Sequence, residues 1–455
     1  MIVIWAVAIA AAITAGLQIS CFRQAVLGND AVARVQARWA ARAGVETMIS
    51  IMEYHTENPD PDDALGMILD LEDNSYGELE TGTYDIRHFL DGIEMAGPLD
   101  EHSKANINLL SSTEMMNIKS MTPDIVGSIM DWRDANEDAS MLGAEKSYYQ
   151  NRGKSYVPRN ADLRSFAELE LIAGVWPDET RGEDWNLNFR LDPNEDDGDL
   201  TWPPDKPDGL LDGGWSSLLT ASSLTSPRAP SGMDRLVLST ASAQDITDRV
   251  AMTEPQASAL LAYSKTPNAR LEQLLVLPLS TLSQASGSTG AGATGAGAAG
   301  ASSGRTGRSS GGRTSSGGSV SQASPTNLSS DTVGKVLNEC TLKPFTRPAA
   351  GKMNINTVSG TVLKEVFDMN PKLVDSLISR RDARVTGLTS LASVLDIPGM
   401  TPQILSGLAK NLDVQSFVFT ITSRGRSAIV GGECEMVVTV DRSTLPATIL
   451  SYREP

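Results

Sequence analysis

The chain is expected to be an α+β protein. A long N-terminal transmembrane helix should lead into a helix-and-sheet scaffold, and that scaffold should be interrupted by a large α-helical insertion with helix-hairpin-helix repeats. Three observations predict this. The first 22 residues carry no charge. A passage of helical pattern occurs twice, at 103–135 and 351–383. Strand patterns stand on both sides of those repeats, at Thr83–Leu90 and again after Val414.

Residues 1–22 are long enough to span a hydrocarbon core as a helix. A cleaved secretory signal is the competing reading, but its basic start is missing. From Ala31 to Tyr54 the apolar pattern continues without a Pro, through Val32, Val35, Trp39, Ala40, Ala43, Val45, Met48 and Ile51. One helix is therefore expected, with 1–22 in lipid and 23–55 beyond it. Arg23, Arg34 and Arg38 follow the span with nothing basic before it, which taken literally puts the C-terminal side in the cytoplasm. Residues 56–102 open the scaffold. Residues 414–455 close it, with strands at Val414–Thr422, Ser427–Asp441 and Ala447–Tyr452 and turns at Gly425 and Gly431-Gly432.

The two repeated passages align without a gap and share 13 of 33 residues, where chance gives about two. That excess marks a duplicated structural unit. Each copy is followed by a second shared block, at 165–175 and 390–400. A worn third copy fits 238–261 at a constant offset of 117, with Leu271–Pro278 in place of the second block. Each unit should contain a helix begun by Ser or Thr, a Met-x-Pro or Met-Thr-x-Pro break and a second helix, with Pro in the first turn where its missing donor is not needed. Ile125, Val126, Ile129 and Met130, like Leu373, Val374, Leu377 and Ile378, fall on one helical face. The endings Ile172-Ala-Gly and Ile397-Pro-Gly-Met-Thr-Pro look like helix-hairpin-helix turns. The insertion is thus expected over 103–282, with an acidic loop at 182–212. A Gly/Ser/Ala-rich flexible linker should cover 283–330, and a further repeat unit 331–413.

The formal charge is −18, and half of it lies in 176–212, where twelve Asp or Glu meet three Lys or Arg. The basic footprint of a nucleic-acid binder is absent. Cys21, Cys340 and Cys434 form no metal-ligand spacing. A Cys340–Cys434 disulfide is the less favoured reading, because two free buried thiols would look identical in sequence.

Several strings in order resemble the type II secretion system protein K family, the largest minor pseudopilin. They are the apolar helix running into Ala41-Arg42-Ala43-Gly44-Val45-Glu46; Asp100-Glu101-His102-Ser103-Lys104-Ala105-Asn106-Ile107-Asn108; Asp131-Trp132-Arg133-Asp134 with Gly143-Ala144-Glu145 and Tyr148-Tyr149; Phe166-Ala167-Glu168-Leu169; and the strands Ser416–Ser423 and Val438–Arg442. The resemblance covers most of the chain outside 176–235 and the linker. It implies a pilin-like helix-plus-sheet fold with a helical domain inserted, and a structural rather than catalytic role. It implies an inner-membrane, single-pass anchor with the bulk periplasmic, and partnership with other minor pseudopilins at the tip of a short filament. Family precursors carry a basic leader cut by prepilin peptidase. Here none precedes residue 1, so peptidase action is expected only if a leader lies upstream, and such a leader would also remove the charge conflict around the span. The Glu that main pilins carry five residues in is missing near Trp5, which suits a member at a filament's end.

Residues 184–195 have the spacing of a calcium loop: Asp184, Asn186, Asn188, Asp192 and Glu195 at positions 1, 3, 5, 9 and 12. Arg190 at position 7 would offer its carbonyl. Phe189 stands at position 6, where Gly usually makes the sharp turn. Family members resemble calcium binders too. The bland alternative is a solvated acidic loop. Asp196, Asp197, Asp199, Asp205, Asp208 and Asp212 show no loop spacing. Asp131, Asp134, Asp138 and Glu145 form either a second site or salt bridges to Arg133.

A membrane-anchored helix-hairpin-helix DNA-binding protein is the alternative function, through amides at the hairpin Gly. Against it, 351–413 is nearly neutral, with seven Lys or Arg and six Asp or Glu, and no basic residue adjoins Ile397–Pro402. No nucleic-acid partner is expected. Nor is an enzyme: the three histidines, His55, His88 and His102, have no nucleophile motif beside them, and His102 is expected at the surface.

Overall fold

The computed structural model describes residues 1–285, 326–345, 349–429 and 431–454. They form two compact units, one of 1–235 with 344–455 and one of 236–343. Residues 286–325 of the predicted linker lie outside the described residues. Its flanks are helical, since α-helices reach Ala285 and resume at Ser330.

In the first unit, α1 runs from Ile2 to Glu57 without interruption. It is long and apolar enough to cross a membrane, and its first 32 residues contact almost nothing. The remainder packs on a sheet through Ala33, Ala37, Ala40, Ala41, Gly44, Val45, Met48 and Met52. This corrects the expected face: Val32, Val35 and Trp39 are exposed. Small side chains face the sheet because the backbones approach closely. A Cβ on Gly44 would stand 2.6 Å from Ser423 Oγ, and one on Gly425 only 2.0 Å from the Ala37 carbonyl. Gly425 therefore lies inside a strand rather than at the expected turn.

After α2 (Gly66–Asp73) come β1 (Tyr76–Leu79), β2 (Gly82–Leu90), β3 (Ile93–Ala96) and β4 (Leu99–Asp100). The chain then leaves the sheet for the helical block. It returns as β13 (Val418–Ser427), β14 (Glu433–Asp441) and β15 (Thr448–Arg453). The strand order is β1-β2-β13-β14-β15, antiparallel throughout, with β3 on β2 and β4 on β13. β13 begins at Val418, four residues later than expected, because Leu412–Asp413 pairs elsewhere as β12. Strand alternation sorts the two faces. Tyr84, Ile86, Phe419, Ile421, Met436, Val438 and Val440 join Met48, Met52 and Leu71 in one core against α1. Thr420, Thr422, Arg424 and Glu435 point the other way.

The helical block shows the duplication. Copy one starts with a two-residue strand, β5 (Ala105–Asn106), parallel to β6 (Leu219–Thr220). It continues with α3 (Ser112–Met116), α4 (Pro123–Arg133), α5 (Lys146–Asn151), a 3-10 turn at Phe166–Leu171 and α6 (Pro177–Arg181). β7 (Leu224–Thr225) pairs with β10 (Ala349–Ala350). Copy two starts with β11 (Met353–Asn354), parallel to β12. It continues with α11 (Gly360–Glu365), α12 (Pro371–Asp382), a 3-10 turn at Leu391–Asp396 and α13 (Pro402–Ala409). Pro123 and Pro371 open equivalent helices, and Ser111 and Ser359 cap the helices before them.

The second unit is the worn copy. β8 (Leu236–Val237) is parallel to β9 (Cys340–Thr341). Between them stand α7 (Ala243–Val250), capped by Ser242, then α8 (Glu254–Ser264), a 3-10 turn at Leu271–Leu275, α9 (Leu279–Ala285) and α10 (Ser330–Glu339).

Candidate metal centre

The loop 184–195 folds around its own oxygens. Asp184 is fully buried. Its carboxylate accepts the N–H groups of Asn188 and Phe189, each at 3.0 Å. Asn186 Oδ1 accepts from the Asn188 N–H at 2.9 Å, and Asn188 Oδ1 from the Arg190 N–H at 2.7 Å. Positions 1, 3 and 5 thus turn the backbone about one centre. Glu195 closes the ring, accepting the N–H of Trp185 at 3.2 Å and that of Asp192 at 3.1 Å.

Phe189 takes the left-handed conformation that Gly would supply, with φ +58°. That conformation costs about 1–2 kcal/mol for a residue with a Cβ, and tertiary contacts offset it. The Phe189 carbonyl accepts from the Phe89 N–H at 2.7 Å, and Lys104 Nζ lies 4.1 Å from the ring centroid.

The polar face of the sheet holds the loop. Thr422 Oγ1 donates to the Asn188 carbonyl at 2.7 Å. Asn188 donates to Glu435 at 2.8 Å. Arg424 pairs with Asp192 at 2.5 Å and with Glu435 at 2.8 Å. Arg453 donates to the carbonyls of Asn186 and Leu187 at 2.6 and 2.7 Å. Arg190 turns its side chain to Asp85 at 3.0 Å. Asp85, Lys104, Thr422, Arg424, Glu435 and Arg453 were not expected to take part in this site. The signal was available for three of the strand residues. Asp85, Thr422 and Glu435 lie one position out of phase with the core residues Ile86, Ile421 and Met436, so they had to face the other way.

Burial pushes the Asp184 carboxyl up to about 7 against the pull of the Phe189 and Asn188 amides. Burial and then the charge of Asp184 push Glu195 up to about 8. Two buried carboxylates, one of which raises the cost of ionising the other, suit a hard cation. Among the described residues no three His, Cys, Asp or Glu side chains already converge as a metal shell. Asp192 is engaged by Arg424. The donors that fit an ion are therefore Asp184 and Glu195, with the Asn186 and Asn188 oxygens. The later acidic residues are mostly turn caps: Asp196 takes the Gly209 N–H, Asp197 that of Thr201 and Asp205 that of Gly198, while Asp212 pairs with Lys206.

Beside this loop runs a buried polar seam. Contrary to expectation, His102 is 2% exposed. It donates through Nδ1 to the Lys352 carbonyl at 2.6 Å. Glu101 takes the hydroxyls of Thr220 and Thr420 and pairs with Lys104 at 3.3 Å. Burial would raise the Glu101 carboxyl, but Lys104 and those hydroxyls hold it below its usual range. Asp100, bound to Thr357 and Ser416, is raised by burial. The seam joins β4 and β13 to both repeat copies. Cys340 and Cys434 are free thiols.

A helix long and apolar enough to cross a membrane packs on an antiparallel sheet, and duplicated helical units are spliced between the strands, which defines an α+β protein. Residues 90–181 match the family model described as Type II secretion system (T2SS), protein K. The match contains the motifs at Asp100–Asn108 and Asp131–Glu145 that carry the resemblance. A solved structure, "The Crystal Structure of the GspK-GspI-GspJ complex from enterotoxigenic Escherichia coli Type 2 Secretion System", holds a chain similar to this one at 12% identity and a TM-score of 0.42, covering 92% of this chain and 96% of that one. No curated protein matches.

Proposed function

We propose that this chain is a minor pseudopilin of a type II secretion system, anchored in the inner membrane with its bulk in the periplasm, at the tip of the pseudopilus. The observation that carries the proposal is the family match over residues 90–181. The bare apolar half of α1 supports it, since such a surface needs lipid or other helices. Val32, Val35 and Trp39 extend that exposed apolar strip beyond the span and offer a face to neighbouring pseudopilin helices. The test is co-expression with the other minor pseudopilins of the same system, detergent extraction of the membrane fraction and affinity capture. Recovery of a stoichiometric complex from membranes supports the reading. Full-length chain found free in the periplasm, or no capture of any pseudopilin, sinks it.

Calcium in loop 184–195 belongs to this proposal. Two buried carboxylates, two successive Asx turns and a left-handed residue at position 6 support it. Bound ion stabilises the native state by mass action, so calcium should raise the melting temperature and chelator lower it. Magnesium should do little, because it demands a tighter octahedral shell. Glu195→Gln should remove most of the response. A melting curve indifferent to calcium returns the loop to a purely structural role.

A further inference from the structure

A cavity of about 440 Å³ lies between α2, the β2–β3 hairpin and α12 in the first unit, and no residue of loop 184–195 lines it. Its apolar walls include Leu71, Leu90, Ile378 and Phe419, with Ile93 and Met95 of β3. Ile93 and Met95 stand two positions apart, so they share one face of the strand, and both are exposed. They form the mouth. Folded chains keep few voids larger than a water molecule. An apolar void of about 150 Å³ already takes up benzene. One about three times that size, rimmed by exposed apolar side chains, has the dimensions of a small-molecule site.

Two polar groups in the lining await a partner. Ser103 is 1% exposed, and its hydroxyl has no hydrogen-bond partner among the described residues. Native structures rarely leave such a group unmet. His88 is also buried, and its Nδ1 donates to the Gly97 carbonyl at 2.9 Å, which leaves Nε2 as an acceptor. A ligand hydroxyl satisfies both, accepting from Ser103 and donating to His88. Charge is disfavoured there. Four carboxylates, Glu72, Asp91, Asp100 and Asp382, line the cavity against one guanidinium, and they repel an anion. That guanidinium, on Arg381, is already spent on Asp382 at 3.3 Å and on the Val358 carbonyl at 2.6 Å. A cation gains little. Asp91 is held by the Ser359 hydroxyl and the Gly360 N–H, Asp100 by Thr357 and Ser416, and an ammonium would lose its water among apolar walls.

We propose that this cavity binds an uncharged apolar molecule bearing one hydroxyl, an aliphatic or aromatic alcohol, with Ser103 and His88 meeting the hydroxyl. The test uses the full-length chain in lipid nanodiscs with its methionine methyl groups isotope-labelled for NMR. Met95 reports the cavity, and the exposed Met141, which does not line it, reports nonspecific effects. Benzyl alcohol should shift the Met95 signal saturably and leave Met141 unmoved. Benzoate and benzylammonium, of the same shape but charged, should bind at least tenfold more weakly, about the cost of one unmet hydrogen bond or more. Ser103→Ala should weaken benzyl alcohol by about threefold to tenfold and leave toluene, which has no hydroxyl, unchanged. Ile378→Trp should fill the space and abolish the response to both. Ser103→Ala decides the matter if Ile378→Trp fails to fold. No saturable Met95 response to benzyl alcohol, equal affinity for either charged analogue, or equal loss of toluene and alcohol in Ser103→Ala overturns the proposal.

Discussion

The two repeat copies of the first unit are held by the same bonds and differ in what hangs from them. In copy one, Asn108 donates to the Leu163 carbonyl and accepts the Leu163 N–H, both at 2.9 Å. In copy two, Asn356 does the same for Leu388, at 3.0 and 2.6 Å. Arg133 reaches the carbonyls of Ile107 and Leu110, and Arg381 reaches that of Val358, the counterpart of Leu110. Between the Arg and the Leu, copy one carries 29 residues, 134–162, where copy two carries six, 382–387. The extra length brings the carboxylates of Asp134, Asp138 and Glu145 and an aromatic cluster, with Tyr149 and Tyr156 at 5.7 and 6.3 Å from Trp132. Copy two has Arg380 where copy one has Trp132. A tie placed at the ends of a connection leaves its length free, because closure entropy grows only slowly with length. New chemistry could therefore be added to one copy without disturbing the scaffold.

The most severe test of that equivalence is in the core. Ile129 and Leu377 are counterparts, and both are fully buried. Ile129→Ala and Leu377→Ala should each cost about 3 kcal/mol in urea unfolding. A cost below about 1 kcal/mol for one of them would show that the two helices are not packed alike.

Protons should separate the copies next. His88 Nδ1 bonds the Gly97 carbonyl at 2.9 Å, and burial lowers its pKa to about 4 from 6.5. It lines the apolar cavity of about 440 Å³ whose far wall is Asn356, Thr357, Ile378 and Arg381 of copy two. The unfolded chain takes up a proton below pH 6.5 that the folded chain refuses until about 4. Stability present above that window is therefore lost as pH falls through it, by roughly 3 kcal/mol. Hydrogen exchange in acid should quicken in α12 before α4, and His88→Asn should flatten the pH profile. A profile unchanged by the variant would mean that His88 titrates normally.

Cutting the Asn ties should sharpen the contrast. Asn108→Ala and Asn356→Ala should each cost about 2 kcal/mol, since each strands a buried Leu amide and carbonyl. Only Asn108→Ala should open new proteolytic cuts, within 134–162. Matching cuts near 382–387 in Asn356→Ala would contradict this account of the tie.

The smallest effects belong to the caps. Ser111→Ala and Ser359→Ala should cost about 1 kcal/mol each. Ser359 is buried and also donates to Asp91, whereas Ser111 is exposed, so the loss of Ser359 should be the larger.

Much of this was legible in advance because it is local. The uninterrupted helix, the Ser caps, the Pro-opened helices and the spacing of Asp184, Asn186, Asn188 and Glu195 each depend on residues a few positions apart. The reading of α1 failed at Val32, Val35 and Trp39, and that of the sheet at Gly425, for one shared reason. Periodicity shows that a helix has an apolar side, but not how near another backbone will come. Where the approach is close, Ala and Gly are buried and larger apolar residues are left outside. His102 misled in a similar way, since its neighbours in sequence are charged but its surroundings are Lys352, Phe417 and the seam.

The sequence by itself determined the order of elements, the membrane-length helix, the duplication and the acidic loop, because all of these are patterns along one chain. Only the tertiary structure decided which loop oxygens are buried, that Arg133 turns from Glu145 to backbone carbonyls, and that Arg424, Thr422 and Arg453 hold the acidic loop from strands more than two hundred residues away. Those outcomes depend on desolvation and on partners brought together by the sheet, and neither is written in the spacing of neighbouring residues.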